Sequence, residues 1–254
     1  MGRLDAKVAL ITGSGVGIGA CTAKLFAKEG ATVMLCARRE NTLQKVKQEI
    51  EAAGGKAAYV VADLATAEGC TKAIDATAAQ FGRIDVLVNN AGIADKHRST
   101  KNTTDEWWDH VVAINQTAVF RLCRGALVHM EKQGKGSIVN VSSIGGYRSL
   151  AGIAYSATKK AVISITENIA IQYAGKGIRA NAICPGPTPT ELNTPENIAT
   201  FDQEMMALTA RQFAVMELPE TENIDQAYAM LFFACDESKG VTGQIMVVDN
   251  GMTL

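Results

Sequence analysis

The chain has 254 residues, 47% of them hydrophobic and 20% charged, with a formal net charge of −1. That length suits one large α/β domain or two small ones, and near-neutrality gives no reason to expect nucleic acid or an anionic membrane as partner. The six cysteines (21, 36, 70, 123, 184 and 235) form no CxxC pair and have no histidines at zinc-ligand spacing, so they read as reduced, mostly buried thiols of a cytoplasmic protein without a metal site. The N-terminus lacks the long apolar stretch of a signal peptide, and no run of 18 apolar residues occurs.

Val8 to Thr12 is a short apolar run, the pattern of a strand buried on both faces. It ends in Gly13-Ser14-Gly15-Val16-Gly17-Ile18-Gly19, and the helical pattern that follows stops at Gly30. Strand, glycine-rich turn and helix is the context of a dinucleotide site. Glycines permit a tight turn and let the backbone approach a pyrophosphate at the helix N-terminus. A second strand, Thr32 to Ala37, runs into Arg38 and Arg39. An NAD site places Asp or Glu near that point, on the ribose hydroxyls, whereas a guanidinium there pairs with a 2′-phosphate. Arg38, the first residue after the strand, therefore favours NADP(H), with NAD as the alternative. A helix is expected from Thr42 to Ala53 and a third strand over Ala57 to Ala62, closed by Asp63-Leu64. Asp63 is placed either to accept from an adenine amino group or to cap the next helix, Glu68 to Gln80.

The fourth strand, Ile84 to Val88, leads into Asn89-Asn90-Ala91-Gly92. Its small residues permit close backbone approach, and asparagine amides hold a loop's shape. Thr104 and Trp107 open a helix that runs towards His129 and carries Asn115 in an apolar stretch, an unfavourable place for Asn unless its side chain has a partner. The fifth strand, Gly136 to Val141, ends at Ser142-Ser143. The next helix carries Tyr155 and Lys159, one turn apart on one face. A phenol loses its proton near pH ~10, and a nearby ammonium lowers that value, which suits the pair to passing a proton to or from a carbonyl or alcohol oxygen. The sixth strand, Arg179 to Cys184, is broken by Pro185-Gly186-Pro187. The looser stretch 190–217 reads as a lid, and its Met205, Met206, Leu208, Phe213 and Met216 suit either an apolar substrate pocket or the packed inner face of the segment's own helices. Thr221 opens a helix from Asn223 to Cys235, and the last strand is Gln244 to Asp249. Strands alternate with helices and no linker interrupts them, which predicts one α/β domain over residues 1–254: a doubly wound parallel sheet of about seven strands with helices on both faces.

With these pieces in order, the chain resembles the short-chain dehydrogenase/reductase family over nearly its whole length. The family's TGxxxGxG stands as Thr12 to Gly19, its NNAG as Asn89 to Gly92, its helical asparagine as Asn115, its YxxxK as Tyr155 to Lys159 and its PG as Pro185-Gly186. The resemblance implies a Rossmann-like fold and an oxidoreductase acting on CH–OH groups. Gly13, Gly17 and Gly19, with Ser14, Gly15 and Val16, would form the pyrophosphate turn, and Ile18 would pack beneath it. Arg38 and Arg39 would meet the ribose phosphate, and Asp63 and Leu64 the adenine. Asn89, Ala91 and Gly92 would line the cofactor, while Pro185, Gly186, Thr188 and Thr190 would lie at the nicotinamide. Tyr155 would be the general acid of reduction and the base of oxidation. Lys159 would lower its pKa and bind the nicotinamide ribose, and Asn115 would hold a water in a proton relay. A serine ending the fifth strand would hold the substrate oxygen. Counting forward from Gly136 selects Ser143 and counting back from Tyr155 selects Ser142; strands keep register while loops absorb deletions, which favours Ser143. Val16 departs from the basic residue common in NADP-using relatives.

The reaction so implied is hydride transfer between NADP(H) and a small-molecule carbonyl or secondary alcohol, apolar and steroid-like. A 3-oxoacyl thioester reductase, an epimerase using the same hydride step and a non-catalytic nucleotide sensor are the alternatives. His97, Arg98, Tyr147 and Arg148 flank the expected site. A homotetramer or homodimer, with helices around 105–130 and 155–174 at one interface, is also implied.

Overall fold

Continuous apolar runs set the sheet. Strands β1 (Val8–Thr12) and β4 (Val86–Asn89) are buried at every position. Strands β2 (Thr32–Ala37), β5 (Gly136–Val141) and β6 (Ile178–Pro185) are buried at nearly every one, because helices cover both faces. Strands β3 (Lys56–Val61) and β7 (Ile245–Val248) form the edges and are less buried. The order is β3-β2-β1-β4-β5-β6-β7 and every pairing is parallel. The computed structural model describes residues 2–190, 194–213 and 218–254, with backbone alone for Gln212 and Phe213.

Two cores sandwich the sheet. On one face α1 (Gly17–Lys28), α2 (Glu40–Ala52) and α10 (Asn223–Ala234) bury Phe26, Leu43 and Phe233. On the other, α3 (Ala67–Phe81), α5 (Ala118–Gln133) and α7 (Ile153–Tyr173) bury Ile74, Leu122 and Val162. Helix α4 (Asp105–Val112) joins α5 through a π turn, Ala113–Thr117. By length and composition alone the combined run Asp105–Gln133 is apolar enough to cross a membrane. In the fold its apolar side chains Ala118, Leu122, Ala126 and Met130 are buried in the second core. The short helices α6 (Ile144–Arg148) and α8 (Pro195–Ile198), together with α9 (Gln203–Phe213), stand at the carboxyl end of the sheet.

β1 pairs with β2 on one side and β4 on the other, so the winding reverses between β1 and β4. Loops leaving the carboxyl ends of these two strands diverge, which opens a crevice there. Capping differs from expectation at α10 and decides between two alternatives at α3. α10 is capped by Glu222, whose N–H donates to Asp225 Oδ2 at 2.8 Å, while the Thr221 hydroxyl serves Pro187 O and Thr188 Oγ1 instead. α3 is capped by Thr66 Oγ1, which accepts from the Gly69 N–H at 3.0 Å, and Asp63 is left at the crevice.

Candidate active site

The crevice has a volume of about 1060 Å³. Its floor begins at the glycine turn, where Gly13 and Gly17 take left-handed φ values of 65° and 55° that a side chain would resist. The β4 loop is tied to that turn: Asn90 Nδ2 donates to Thr12 O and Gly13 O, and Thr12 Oγ1 accepts from the Asn90 and Ala91 N–H groups. Helix α1 has no side-chain cap and no acidic residue in its first turn. Its open N–H groups and positive dipole end lie where Gly15, Val16, Gly17 and Ile18 line the crevice, a chemistry that fits a diphosphate.

Arg38 and Arg39 line the crevice past the end of β2, beside Ala37 and Thr42. The Glu40 carboxylate accepts from the Tyr59 hydroxyl at 2.9 Å. Asp63 and Leu64 line the wall after β3, and Asp63 Oδ1 accepts from the Ala65 N–H at 3.1 Å. Ala91, Gly92, Pro185, Gly186, Thr188 and Thr190 complete the wall towards the substrate end.

Three residues expected at the cofactor or its relay turn inward. Ser14 is fully buried, and its Oγ accepts from the Cys36 N–H at 2.9 Å, bracing the turn against β2. Asn89 ends β4 with its side chain on the core face; Nδ2 donates to Asn140 Oδ1 at 2.8 Å, and Asn90, one position on, reaches the crevice instead. Asn115 is fully buried in the π turn, with both amide atoms on Ile93: Oδ1 accepts from N–H at 2.8 Å and Nδ2 donates to O at 2.9 Å. The amide expected to hold a relay water is thereby occupied in fixing the β4 loop. Asn115 still lies behind the wall near Lys159, since a Cβ on Gly92 would stand 3.3 Å from both Asn115 Oδ1 and Lys159 Nζ.

The two serines divide. Ser142 is buried and its Oγ donates to Lys159 O at 2.7 Å. Ser143 caps α6, its Oγ accepting from the Gly145 N–H at 3.0 Å, and forms a hydrogen bond with the Tyr155 side chain. Geometry thus sets Ser143 beside the phenol, as the strand count expects. Lys159 Nζ donates to Val141 O at 2.8 Å and stands 5.6 Å from the Tyr155 ring centre. Burial pushes the Tyr155 phenol up to about 12, against the Ser143 hydrogen bond, and pushes the Lys159 ammonium down to about 8. With the ammonium turned to Val141, desolvation of a phenolate outweighs its attraction in the chain by itself, where the resemblance implies a lowered phenol.

Of the four flanking residues, His97 lines the crevice, with its ring stacked on Phe201 at 5.1 Å. Arg98 lies over the Trp107 ring and Arg148 over Tyr147, and neither arginine lines the crevice. Sequence reasoning passed over Thr42, Asp95 and Asn223, all of which line it. Asn223 Oδ1 and His97 Nδ1 are buried with no hydrogen-bond partner among the described residues, atoms of the kind a ligand satisfies. Asn223 carried a weak signal, a polar residue at the first position of an apolar helix.

The family profile described as short chain dehydrogenase matches residues 7–200. A 3beta-hydroxysteroid dehydrogenase of Mediterraneibacter gnavus is 36% identical over 269 residues, covering 100% of this chain and 97% of the relative. A 3-oxoacyl-(acyl-carrier-protein) reductase of Thermotoga maritima is 36% identical over 260 residues, covering 99% and 100%. The crystal structure of levodione reductase superposes with a TM-score of 0.90 at 32% identity, over 98% of each chain. Sequence, fold and the grouping of Ser143, Tyr155 and Lys159 at the switch point agree: the chain belongs to the short-chain dehydrogenase/reductase family, as an NAD(P)-binding oxidoreductase acting on CH–OH groups.

Proposed function

We propose that the protein moves a hydride between NADP(H) and an apolar ketone or secondary alcohol of steroid-like character. The observation that carries the substrate class is the apolar part of the lining of the crevice that also holds Ser143 and Tyr155: Ile144, Leu150, Ala151, Ile198, Phe201 and Met206. Such a wall gains about 25 cal/mol for each Å² of apolar surface it covers, and it offers little to a sugar or a charged acid. The relative named for a 3beta-hydroxysteroid supports the same class. Residues 194–213 act as part of the lid. Ile198, Phe201 and Met206 come from it, and Asp202 latches it to the loop after β4 through Ser99 N–H and Asn102 Nδ2. Residues 191–193 and 214–217 of that stretch, Met216 among them, lie outside the described residues.

Bound nucleotide supplies or accepts the hydride. The chain does the rest. The α1 N-terminus holds the diphosphate, and Arg38 holds the 2′-phosphate. Ser143 donates a hydrogen bond to the substrate oxygen and orients the carbon. Tyr155, neutral at pH 7, gives its proton to that oxygen in reduction and takes it back in oxidation. Lys159, with a value of about 8, is mostly an ammonium at pH 7 and balances charge that develops on the phenol.

The reading is tested by following NADPH consumption with a 3-oxosteroid, cyclohexanone and an acetoacetyl thioester. The expected result is a kcat/KM at least about tenfold higher for the steroid than for the thioester, since burial of each further CH₂ contributes about 0.8 kcal/mol. Preference for the thioester moves the assignment to a 3-oxoacyl reductase, the class of the Thermotoga maritima relative. Nucleotide binding without turnover of any carbonyl restores the sensor reading.

The proposal includes a homo-oligomer. Phe120 and Val128 on α5, each 49% exposed, line a groove shared by α5 and α7, and Ile171 on α7 is 77% exposed. Unpartnered apolar groups of that size mark an interaction face. Light scattering on the purified chain is expected to give a dimer or tetramer, and Ile171→Glu to shift it towards monomer. A monomeric wild-type chain at micromolar concentration refutes this part.

A further inference from the structure

His97 sits where the loop after β4 crosses the first turn of α7. Asp95 Oδ2 accepts from the Tyr155 N–H at 2.8 Å, and Arg98 O accepts from the Ile153 N–H at 3.0 Å. Residues before and after His97 are thereby tied to the turn that carries the phenol. Its own N–H donates to Asp95 Oδ1 at 3.0 Å. Lys96 and His97 hold left-handed φ values of 60° and 51°, a region that histidine enters more readily than most side chains. The lid meets the loop here. Lys96 O accepts from the Asp202 N–H at 2.9 Å, and the Phe201 ring stacks on the imidazole at 5.1 Å, 24° from parallel.

The side chain is held in place and left unpaired. It lines the crevice together with Ser143, Tyr155 and the apolar lid residues Ile198, Phe201 and Met206. Its Nδ1 is buried, and no group among the described residues hydrogen-bonds to it. Burial lowers the imidazole below its usual value, with Asp95 opposing. The ring is therefore neutral at pH 7, and each nitrogen donates or accepts according to the tautomer. An unmet buried polar atom is destabilising, so this one calls for a partner that the chain alone does not supply.

We propose that His97 is a specificity-determining residue: its Nδ1 holds a second neutral oxygen, hydroxyl or keto, on the substrate, remote from the carbon that exchanges hydride. The proposal rests on the reading of the crevice as the site of an apolar ketone or alcohol, and narrows it to one that carries oxygen at two places. A hydroxyl fits either tautomer, since it both donates and accepts, and a ketone fits the tautomer with hydrogen on Nδ1. A carboxylate is the poorer ligand, because the Asp95 carboxylate already lies against the same loop. The ring laid over the imidazole is Phe201, and it belongs to the lid. Lifting of the lid to admit substrate uncovers Nδ1, and its return presses the substrate's apolar body under Phe201. Ser143 and Tyr155 hold the reacting oxygen at one point and His97 holds the other, and two fixed points orient a ring system where one leaves it free to turn. A ketone without the second oxygen leaves Nδ1 unmet and is turned over less well.

The test reads the nitrogen directly. The purified full chain, labelled with nitrogen-15 at histidine and saturated with NADP+ or NAD+, is followed by NMR. The sequence has three histidines, and the His97→Phe spectrum identifies the signal. The probes are two matched pairs: cyclohexanone with cyclohexane-1,4-dione, and a 3-oxosteroid without and with a second ketone at the far end of its rings. Oxidised nucleotide keeps these complexes unreactive. The His97 Nδ1 signal is expected to move with the dione of at least one pair and to stay in place with its mono-ketone partner. In turnover with reduced nucleotide, kcat/KM for that dione is expected to exceed that for the mono-ketone by about tenfold or more, well beyond what a second equivalent carbonyl explains. His97→Phe is expected to lose the preference. If that variant fails to fold, His97→Gly, which accepts a left-handed φ, carries the same expectation. His97→Asn also tolerates that φ and keeps a polar atom at the δ position, so it is expected to retain part of the preference. A signal that ignores both diones, or a preference that persists in His97→Phe, overturns the proposal and leaves His97 a lining residue alone. The NMR arm needs binding and no turnover, so absence of turnover with every carbonyl sinks the proposed function while His97 is still judged by its signal.

Discussion

Tyr155→Phe lowers turnover by about 10³-fold and leaves nucleotide affinity within about twofold. The phenol hydroxyl bonds Ser143 and faces the crevice, so its removal takes away a proton donor rather than a support. One hydrogen bond contributes about 1 kcal/mol to stability, and the folded chain survives its loss. The nucleotide loses little, because Lys159 and the α1 N-terminus are untouched. Steady-state turnover of a cyclic ketone, with fluorescence titration by NADPH, measures both halves. A Phe variant with near-wild-type rate removes Tyr155 from the chemistry. The pH behaviour of the wild-type follows from the raised phenol. Oxidation needs Tyr155 as base, so its rate climbs with pH as the phenolate fraction rises towards a value of about 12. Reduction uses the neutral phenol and stays level across neutral pH on that account.

Arg38→Asp weakens NADPH binding by about 10–100-fold and leaves NADH binding unchanged or tighter. A hydrogen bond to a charged group contributes about 1.5–3 kcal/mol, and each 1.4 kcal/mol is about tenfold in Kd. Arg38 is exposed at the crevice mouth and makes no ion pair among the described residues, so its guanidinium is free for a phosphate. Ala37 and Thr42 beside it present no carboxylate to repel one. An aspartate at 38 replaces attraction by repulsion and offers the two ribose hydroxyls an acceptor, which is the arrangement of an NAD site. Side-by-side titration of wild-type and variant with NADPH and NADH decides the matter. Equal binding of both nucleotides by the wild-type chain means that Val16, where a basic residue is absent, outweighs Arg38. The reaction then turns towards oxidation of an alcohol with NAD.

The sheet, its parallel order and the placing of the crevice were legible in the chain because they rest on local signals. Runs such as Val8 to Thr12 have the look of strands covered on both faces, and glycines between strand and helix suit a tight turn. Ser143 was legible for the same reason: a strand's register is carried by the strand itself, and Ser143 stands where counting along β5 puts it. The direction of side chains at element ends was not. Ser14, Asn89 and Asn115 occupy motif positions yet turn into the fold, because their partners Cys36, Asn140 and Ile93 are brought close only by the pairing of strands and the packing of helices. The order of the phenol and ammonium values was equally hidden, since spacing on a helix says which groups are neighbours and nothing of how much water each has lost. Asp95 and Tyr155 are 60 residues apart, and no periodicity links them. Sequence determined which elements form and which chemistry-bearing residues they carry. Tertiary structure alone decided which of those residues meet, because burial and charge act through space.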